Sequence, residues 1–408
     1  MTSAPIGVAV IGAGMAGRAH CAGYRMAPTL FDPPLPPVRY VSVIDANAAV
    51  AQDAATRYLY EEHGTDWRAL LEDDRVHAVS IVVANQLHRE IAAALLAAGK
   101  HVLCEKPLAP SLQDATAMVA ASQAHPDLVA ATGFVYRRQP AVAHIRDLLE
   151  TELGEVSHFN GHYWCDYARS ADVPMSWRFR GGPGTGALGD IGSHLVDLAE
   201  FVCGPLVQVS GGTFTTKVTE RALPVGQTYG HAKAELSAVR EPVENDDVAT
   251  FTGHFASGAV GTFSISRIAP GNPNALGFEV FAEHGAAKWT MDRMSEFEVI
   301  DNLRGDGNDG YRTVLVGPAH PYIRNGVPMD FPGTAFGVGD LFGYQARAFL
   351  EAVAGIVGGL PAPAGFVDGV RDLTILDAVT RSAAAGGAVV DVTPVDIAVG
   401  IPVGVAHV

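Results

Sequence analysis

Basic residues are scarce in this chain of 408: 28 lysines and arginines stand against 44 aspartates and glutamates, a formal net charge of −16 with histidine neutral. Such a balance argues against holding nucleic acid or an anionic membrane by bulk electrostatics. Cysteine is scarcer still. Cys21, Cys104, Cys165 and Cys203 lie far apart with no C-x-x-C pair, which argues against a disulfide framework or a zinc site and suits reduced thiols in a cytoplasm. The chain does not open on a basic region followed by a long apolar one, so no signal peptide is expected. Nor is any run long and apolar enough to span a bilayer. What is present, 48% hydrophobic and 18% charged residues, suits a globular enzyme long enough for two domains.

The apolar run Val8-Ala-Val-Ile meets Gly12, Gly14 and Gly17 at G-x-G-x-x-G spacing, and a helix-compatible segment follows. Gly12 suits a tight strand-to-helix turn. Gly14 lets a pyrophosphate approach the backbone ahead of a helix N-terminus, and Gly17 permits close packing of helix on strand. The fingerprint next needs an acidic residue ending the second strand, and Asp45 closes the run 38–44. The gap exceeds the usual length of about 20 residues. The Pro-rich segment 31–37, which reads as an inserted loop, accounts for the excess. Asp45 either accepts hydrogen bonds from a ribose diol and repels a 2′-phosphate, or caps the helix beginning near Ala48.

Up to about Gly133, apolar runs at 78–83, 101–104 and 128–132 alternate with helices expected over 48–58, 87–98 and 112–122, plus a short one from Thr65. These are βαβ units of a parallel sheet. Beyond Gly133 the pattern predicts a helix over 141–150, a long strand over 155–164 and a helix over 187–202. Strand-like runs follow at 207–217, 247–255, 259–268, 278–283, 286–291 and 296–300, with a hairpin turn at Ser257-Gly258. This reads as an antiparallel sheet. An exposed loop is expected over 305–310, and helices over 341–357 and 367–385.

Glu105-Lys106-Pro107 directly follows the strand 101–104. Parallel sheets place ligands beyond the carboxyl ends of their strands, so Lys106 is aimed where a nicotinamide would sit; the plain alternative is a solvated surface lysine. Asp190 and His194 are four apart and share one helix face. A carboxylate there can orient an imidazole and keep it basic; the plain alternative is a surface ion pair worth ~0.3–0.5 kcal/mol. Asn85 and His88 either contact cofactor or substrate, or form the N-cap and first turn of the helix 87–98. His158 and His162 share a strand face about 13 Å apart. One metal with bonds of about 2 Å does not bridge that gap, so no metal site is expected. Tyr163, Asp166, Trp177 and Arg178 follow the strand that leads toward the pocket. Arg178 would donate to hydroxyls and Trp177 pack on a sugar ring, or the four form a domain-packing cluster.

Taken together, Gly12-x-Gly14-x-x-Gly17, Glu105-Lys106-Pro107 and Asp190-x-Gly192-x-His194-x-x-Asp197 resemble, in order and spacing, the Gfo/Idh/MocA oxidoreductases over nearly the whole chain. The resemblance implies an α/β protein: an N-terminal NAD-binding Rossmann domain (1–133) and a C-terminal α/β domain (134–408) with a large, mostly antiparallel open sheet for substrate binding and oligomerisation. It implies a cytoplasmic dehydrogenase using NAD, with NADP less favoured. Gly12, Gly14, Met15, Gly17, Asp45, Asn85, His88, Glu105 and Lys106 would meet the cofactor. Lys106, Tyr136, Arg137, Tyr163, Asp166, Trp177, Arg178, Asp190 and His194 would meet a sugar, glycoside, anhydrosugar or cyclitol. Lys106, Asp190 and His194 would be catalytic: His194 takes the hydroxyl proton as hydride leaves the same carbon, and Lys106 stabilises the developing charge. Asp190 would orient His194 or bind a neighbouring hydroxyl.

Four motifs are similar to the family's levoglucosan dehydrogenase-like branch: Tyr136-Arg137-Arg138-x-Pro140-Ala141, Ser176-Trp177-Arg178-Phe179, Gly186-Ala-Leu-Gly-Asp190-Ile and Gly317-Pro-Ala-His-Pro-Tyr322. Val135 and Cys165 depart from it, where Asn and Gln are expected. The loss of two amides points to a related pyranose, glycoside or cyclitol preferred over levoglucosan. A sheet face without helices must be buried, so a homodimer or homotetramer is expected. Two rival readings share this sequence. One is an NAD-dependent glycoside hydrolase acting by oxidation, elimination, hydration and reduction. The other is a non-catalytic sugar or nucleotide sensor, against which the set Lys106, Asp190 and His194 counts.

Overall fold

The computed structural model describes residues 4–393 apart from 33, 227–234 and 306. Pro33 and Asp306, within the two expected loops, lie outside the described residues. The N-terminal half is built from β1 (Ile6–Ile11), α1 (Met15–Met26), β2 (Val38–Ile44), α2 (Ala48–Tyr58), β3 (Glu62–Gly64), β4 (Ala78–Ile81), α3 (His88–Ala97), β5 (His101–Cys104), α4 (Leu112–Gln123) and β6 (Ala130–Thr132). Its strands pair in parallel in the order β3-β2-β1-β4-β5-β6. β1, β4 and most of β5 are buried on both faces, which is why they read as unbroken apolar runs. The order reverses between β1 and β4, opening a crevice at the carboxyl ends of those strands.

The second half contains α5 (Pro140–Leu148), β7 (Val156–Trp164), α6 (Ser193–Cys203), β8 (Leu206–Thr215), β9 (Glu220–Pro224), β10 (Leu236–Pro242), β11 (Val248–Phe255), β12 (Val260–Ser266), β13 (Ala275–Ala282), β14 (Gly285–Thr290), β15 (Glu296–Ile300), β16 (Arg312–Leu315), α7 (Val338–Val353), α8 (Phe366–Ala384) and β17 (Val390–Asp391). Nine strands form one sheet in the order β16-β15-β14-β13-β7-β12-β11-β8-β17. Every pair in it is antiparallel except β7 with β12. The inward side chains Phe159 and Tyr163 of β7, Phe263 of β12 and Phe278 of β13 join the core that includes α5 and α6. The small antiparallel pair β9 and β10 is absent from the sequence reading, as are β3, β16 and β17; β3, β10, β16 and β17 are largely exposed and β9 is only five residues long, so none leaves a clean apolar alternation.

Two features depart from the expected pattern. The single helix expected over 187–202 is a π-helical turn, Leu188–Gly192, running into α6. The last two helices also serve the first half. Ala346, Phe349 and Leu350 of α7 share a core with β1 and α1, and Phe366 and Val370 of α8 share one with β4, β5 and α4. Glycines let α1 and α7 close in: a Cβ on Gly23 would lie 2.6 Å from the Phe342 carbonyl oxygen.

Candidate active site

A cavity of about 1310 Å³ lies between the carboxyl ends of the parallel strands and the inner side of the second half. The glycine turn forms one end. Gly12 has φ +95°, and a Cβ there would lie 2.0 Å from the Val82 carbonyl oxygen. A Cβ on Gly17 would lie 1.8 Å from the Gly12 carbonyl oxygen, whereas one on Gly14 meets nothing within 4 Å. Two glycines are therefore filled by the protein's own backbone, and the third opens on the cavity. Met15 stands beside it, 74% exposed. Asp45 also lines the cavity. It is not the helix cap: Asn47 caps α2, its side chain accepting from the amides of Ala49 and Val50. The Asp45 carboxylate accepts instead from the Ala13 amide (2.8 Å) and the Asn47 amide (2.9 Å), which fixes it against the glycine turn.

On the other side of the turn, β4 delivers Asn85 and β5 delivers Glu105 and Lys106 to the cavity. Asn85 does not cap α3. Its Oδ1 is buried without a hydrogen-bond partner among the described residues, an acceptor whose need a bound ligand would meet. An open glycine cradle, a held carboxylate and this orphaned acceptor together fit a dinucleotide.

The substrate end is assembled from the second half. The Asp246 carboxylate accepts from the amides of Gly184 (2.8 Å), Gly186 (3.1 Å) and Leu188 (2.9 Å), locking the turn that presents Asp190 and His194. The buried pair Arg267–Asp247 (2.9 Å) fixes the other wall, because Arg267 also donates to the Arg178 carbonyl (3.0 Å). Lys106 Nζ donates to the Asp190 carbonyl (2.5 Å) and lies 3.9 Å from the Asp190 carboxylate. That carboxylate accepts from the Tyr167 hydroxyl (2.7 Å) and lies 3.9 Å from Arg178 Nε. Asp190 thus ties Lys106, Tyr167 and Arg178 together at the mouth of the turn that also presents His194. The His194 ring sits edge-on to Tyr136 (4.8 Å) with Tyr163 at 6.2 Å. Burial, and then the Lys106 charge, hold its imidazole well below the ordinary histidine range, hence neutral. Trp177, 44% exposed, carries the Arg178 guanidinium over its ring at 4.4 Å.

Three expected contacts are corrected. Arg137 is turned away from the cavity into an ion-pair network, with Asp197 at 2.6 Å and Asp368 at 3.0 Å. A buried carboxylate one turn beyond His194 captures it. His88 is a core histidine, 1% exposed, whose nitrogens face the carbonyls of Val83, Pro107 and Leu108 at 3.1–3.2 Å. It pins the turn after Lys106. Asp166 is not in the cavity lining; its carbonyl closes a turn with the Arg169 amide. His158 and His162 stack on Phe281 and Trp164 as ordinary sheet residues. Conversely, Tyr167 and Asn274 line the cavity without having been anticipated. They lie in loops whose sequences carry no motif, so only the folded chain reveals them.

Fold and site define an NAD-binding oxidoreductase, and comparison with known proteins narrows the class. Residues 6–132 match the model of an oxidoreductase family with an NAD-binding Rossmann fold, and residues 142–288 match the GFO/IDH/MocA C-terminal domain. The chain belongs to the Gfo/Idh/MocA oxidoreductase family. It is 36% identical to the levoglucosan dehydrogenase of Pseudarthrobacter phenanthrenivorans over 93% of this chain and 96% of that one. It is also similar to two solved structures of a levoglucosan dehydrogenase, each 34% identical. The complex with NADH and L-sorbose has a TM-score of 0.86 over 96% of this chain and 100% of that one. The complex with NADH and levoglucosan has a TM-score of 0.85 over 95% and 100%.

Proposed function

We propose that this chain is an NAD-dependent dehydrogenase that oxidises a secondary ring hydroxyl of a neutral pyranose, glycoside, anhydrosugar or cyclitol to a ketone, acting as a cytoplasmic homo-oligomer. The observation that carries the reading is the meeting of Lys106, Asp190 and His194 in the cavity that also holds Gly14 and Asp45. NAD, when bound, supplies the hydride acceptor. His194, neutral and partly open to the cavity, takes the hydroxyl proton. The Lys106 ammonium stabilises the alkoxide charge as it develops. Asp190 acts on Lys106, holding its Nζ through the carbonyl and keeping a carboxylate 3.9 Å away. Because Arg137 is captured by Asp197 and Asp368, Arg178 is the arginine left at the cavity wall, and Asp190 offsets it.

Val135 and Cys165 both line the cavity and are buried. Beside Cys165, Asn274 accepts from the Tyr163 hydroxyl (2.9 Å) and from the Cys165 thiol (3.7 Å) through Oδ1. That fixes the amide so that its NH₂ side is the one left for a ligand. A pocket with its amide relocated selects a different hydroxyl pattern. Screening polyols, pyranoses, anhydrosugars and glycosides for NADH formation tests this. A pyranose, glycoside or cyclitol should exceed levoglucosan. Levoglucosan as the best substrate would show that positions 135 and 165 do not discriminate. Cleavage of an aryl glycoside without net NADH would replace the dehydrogenase with a hydrolase.

Asp45 carries a second prediction. Its carboxylate, held by two backbone amides, would meet a 2′-phosphate with like charge, so NAD should have the higher kcat/KM. Asp45→Ala should lower NAD use roughly tenfold or more, the loss expected for a charged hydrogen bond, and narrow the gap to NADP. A wild-type preference for NADP sinks this assignment.

The outer face of the nine-stranded sheet presents His158, Asn160, His162, Trp164, Thr250, Thr262 and Glu279. The helices that meet this sheet, α5, α6 and α8, pack on its other face. We expect a dimer or tetramer to bury the open face. Light scattering at micromolar protein should give a multiple of 42.7 kDa, and a monomer mass would refute it.

A further inference from the structure

Glu105 projects from the end of β5 on one side of the glycine turn, and Asp45 from the end of β2 on the other. A dinucleotide has two ribose diols, and each carboxylate faces the same cavity. Both are held on one side by protein donors. For Asp45 these are backbone amides, as described. For Glu105 one donor is the Lys106 amide, which reaches Oε2 at 3.2 Å. The other is a buried histidine that no motif singled out. His20 Nε2 lies 2.8 Å from Glu105 Oε1, and the His20 side chain is 2% exposed.

The polarity of this contact follows from what stands behind it. His20 Nδ1 lies 3.1 Å from Ser80 Oγ, and Ser80 Oγ lies 2.8 Å from the Tyr24 hydroxyl. All three side chains are buried. Tyr24 donates to Ser80, Ser80 donates to Nδ1, and the Nε2 proton is then directed at the carboxylate. The reverse order would point a nitrogen lone pair at Glu105. Phe342 of α7 closes the other side of the ring, edge-on at 5.3 Å. The Glu105 carboxylate lies against Gly133, where a Cβ would come within 2.6 Å of Oε1.

We propose that His20, driven by the Tyr24–Ser80 chain, is a positioning residue for the cofactor: it fixes Glu105 as the acceptor for the ribose hydroxyls on the nicotinamide side. The inference rests on the NAD reading and adds a residue that touches neither cofactor nor substrate. Without His20 the carboxylate keeps only the 3.2 Å contact from the Lys106 amide, and the ordering cost falls on NAD binding.

The test is a fluorescence titration of purified full-length variants with NADH, with melting temperatures measured alongside. His20→Leu should raise the NADH dissociation constant about tenfold, as for loss of one charge-assisted hydrogen bond. His20→Gln, which can accept from Ser80 and donate to Glu105, should recover most of it. Glu105→Gln should weaken NADH comparably, and adding His20→Leu to it should cost little more, because the two act on one contact. This comparison holds even where His20→Leu lowers the melting temperature. Wild-type affinity in His20→Leu, or additive losses in the double variant, would overturn the proposal. A wild-type protein that binds no NADH would overturn the NAD reading itself, and this inference with it.

Discussion

Lys106→Ala and His194→Ala should each lower kcat by roughly 10²-fold or more, the contribution typical of a positioned acid, base or electrostatic group. NADH affinity should change little by comparison, because the glycine turn and Asp45 are held by backbone contacts independent of either side chain. The pH profile separates the roles. Burial and the Lys106 charge shift His194 well below its ordinary value of 6.5. The base is therefore already deprotonated at pH 6.5. Oxidation should keep its kcat/KM as pH falls through that value and lose it only below, where the imidazole protonates. Moving the charge away in Lys106→Met should shift that acidic limb upward. Near-wild-type turnover in both alanine variants, on a verified substrate, would remove the proposed chemistry. An acidic limb centred at or above pH 6.5 would remove His194 as the base.

The glycine turn yields a pair of opposite outcomes from the same substitution. A methyl at Gly17 would sit 1.8 Å from the Gly12 carbonyl oxygen, which forces α1 off β1. Overpacking of this kind costs roughly 1–3 kcal/mol and sometimes more, so Gly17→Ala should lower the melting temperature by several degrees. A methyl at Gly14 meets no protein atom within 4 Å. Gly14→Ala should melt like wild type yet bind NADH about tenfold or more weakly, because the methyl occupies the approach of the pyrophosphate. Calorimetry and an NADH titration on the two variants decide it. Equal melting losses in both, or undiminished affinity in Gly14→Ala, would show that the cradle is not where the cofactor lies.

The parts of this molecule legible in its sequence are those written over short distances. Strands buried on both faces give apolar runs, so five of the six parallel strands could be read; the exposed edge strand β3 (Glu62–Gly64) gives no such run and was missed. The glycine spacing carries its own geometry, and the three roles assigned to Gly12, Gly14 and Gly17 correspond to three measurably different surroundings. Partners brought from far along the chain were not legible. Asp190 was set beside His194 because they are neighbours in sequence; its contacts to Tyr167, Lys106 and Arg178 join distant parts of the chain, and no local pattern announces them. Arg137 carried a motif yet serves Asp197 and Asp368. Nothing local separates an arginine that meets substrate from one consumed by a buried carboxylate. His20 was passed over because a histidine inside an amphipathic helix reveals nothing until β4 and β5 are placed beside it.

The sharing of α7 and α8 between both halves bears on how the chain is made. Phe349 and Leu350 complete the layer over α1 and β1, and Phe366 and Val370 cover β4 and β5. A ribosome extends a chain at roughly 5–20 residues per second, so the roughly 200 residues separating β6 from those helices take on the order of 10–40 s to appear. Throughout that interval the nascent parallel sheet has bare apolar flanks. Chaperone engagement should therefore persist until α8 has emerged. A fragment ending near Gly133 should be insoluble, although it contains every strand and glycine of the nucleotide cradle.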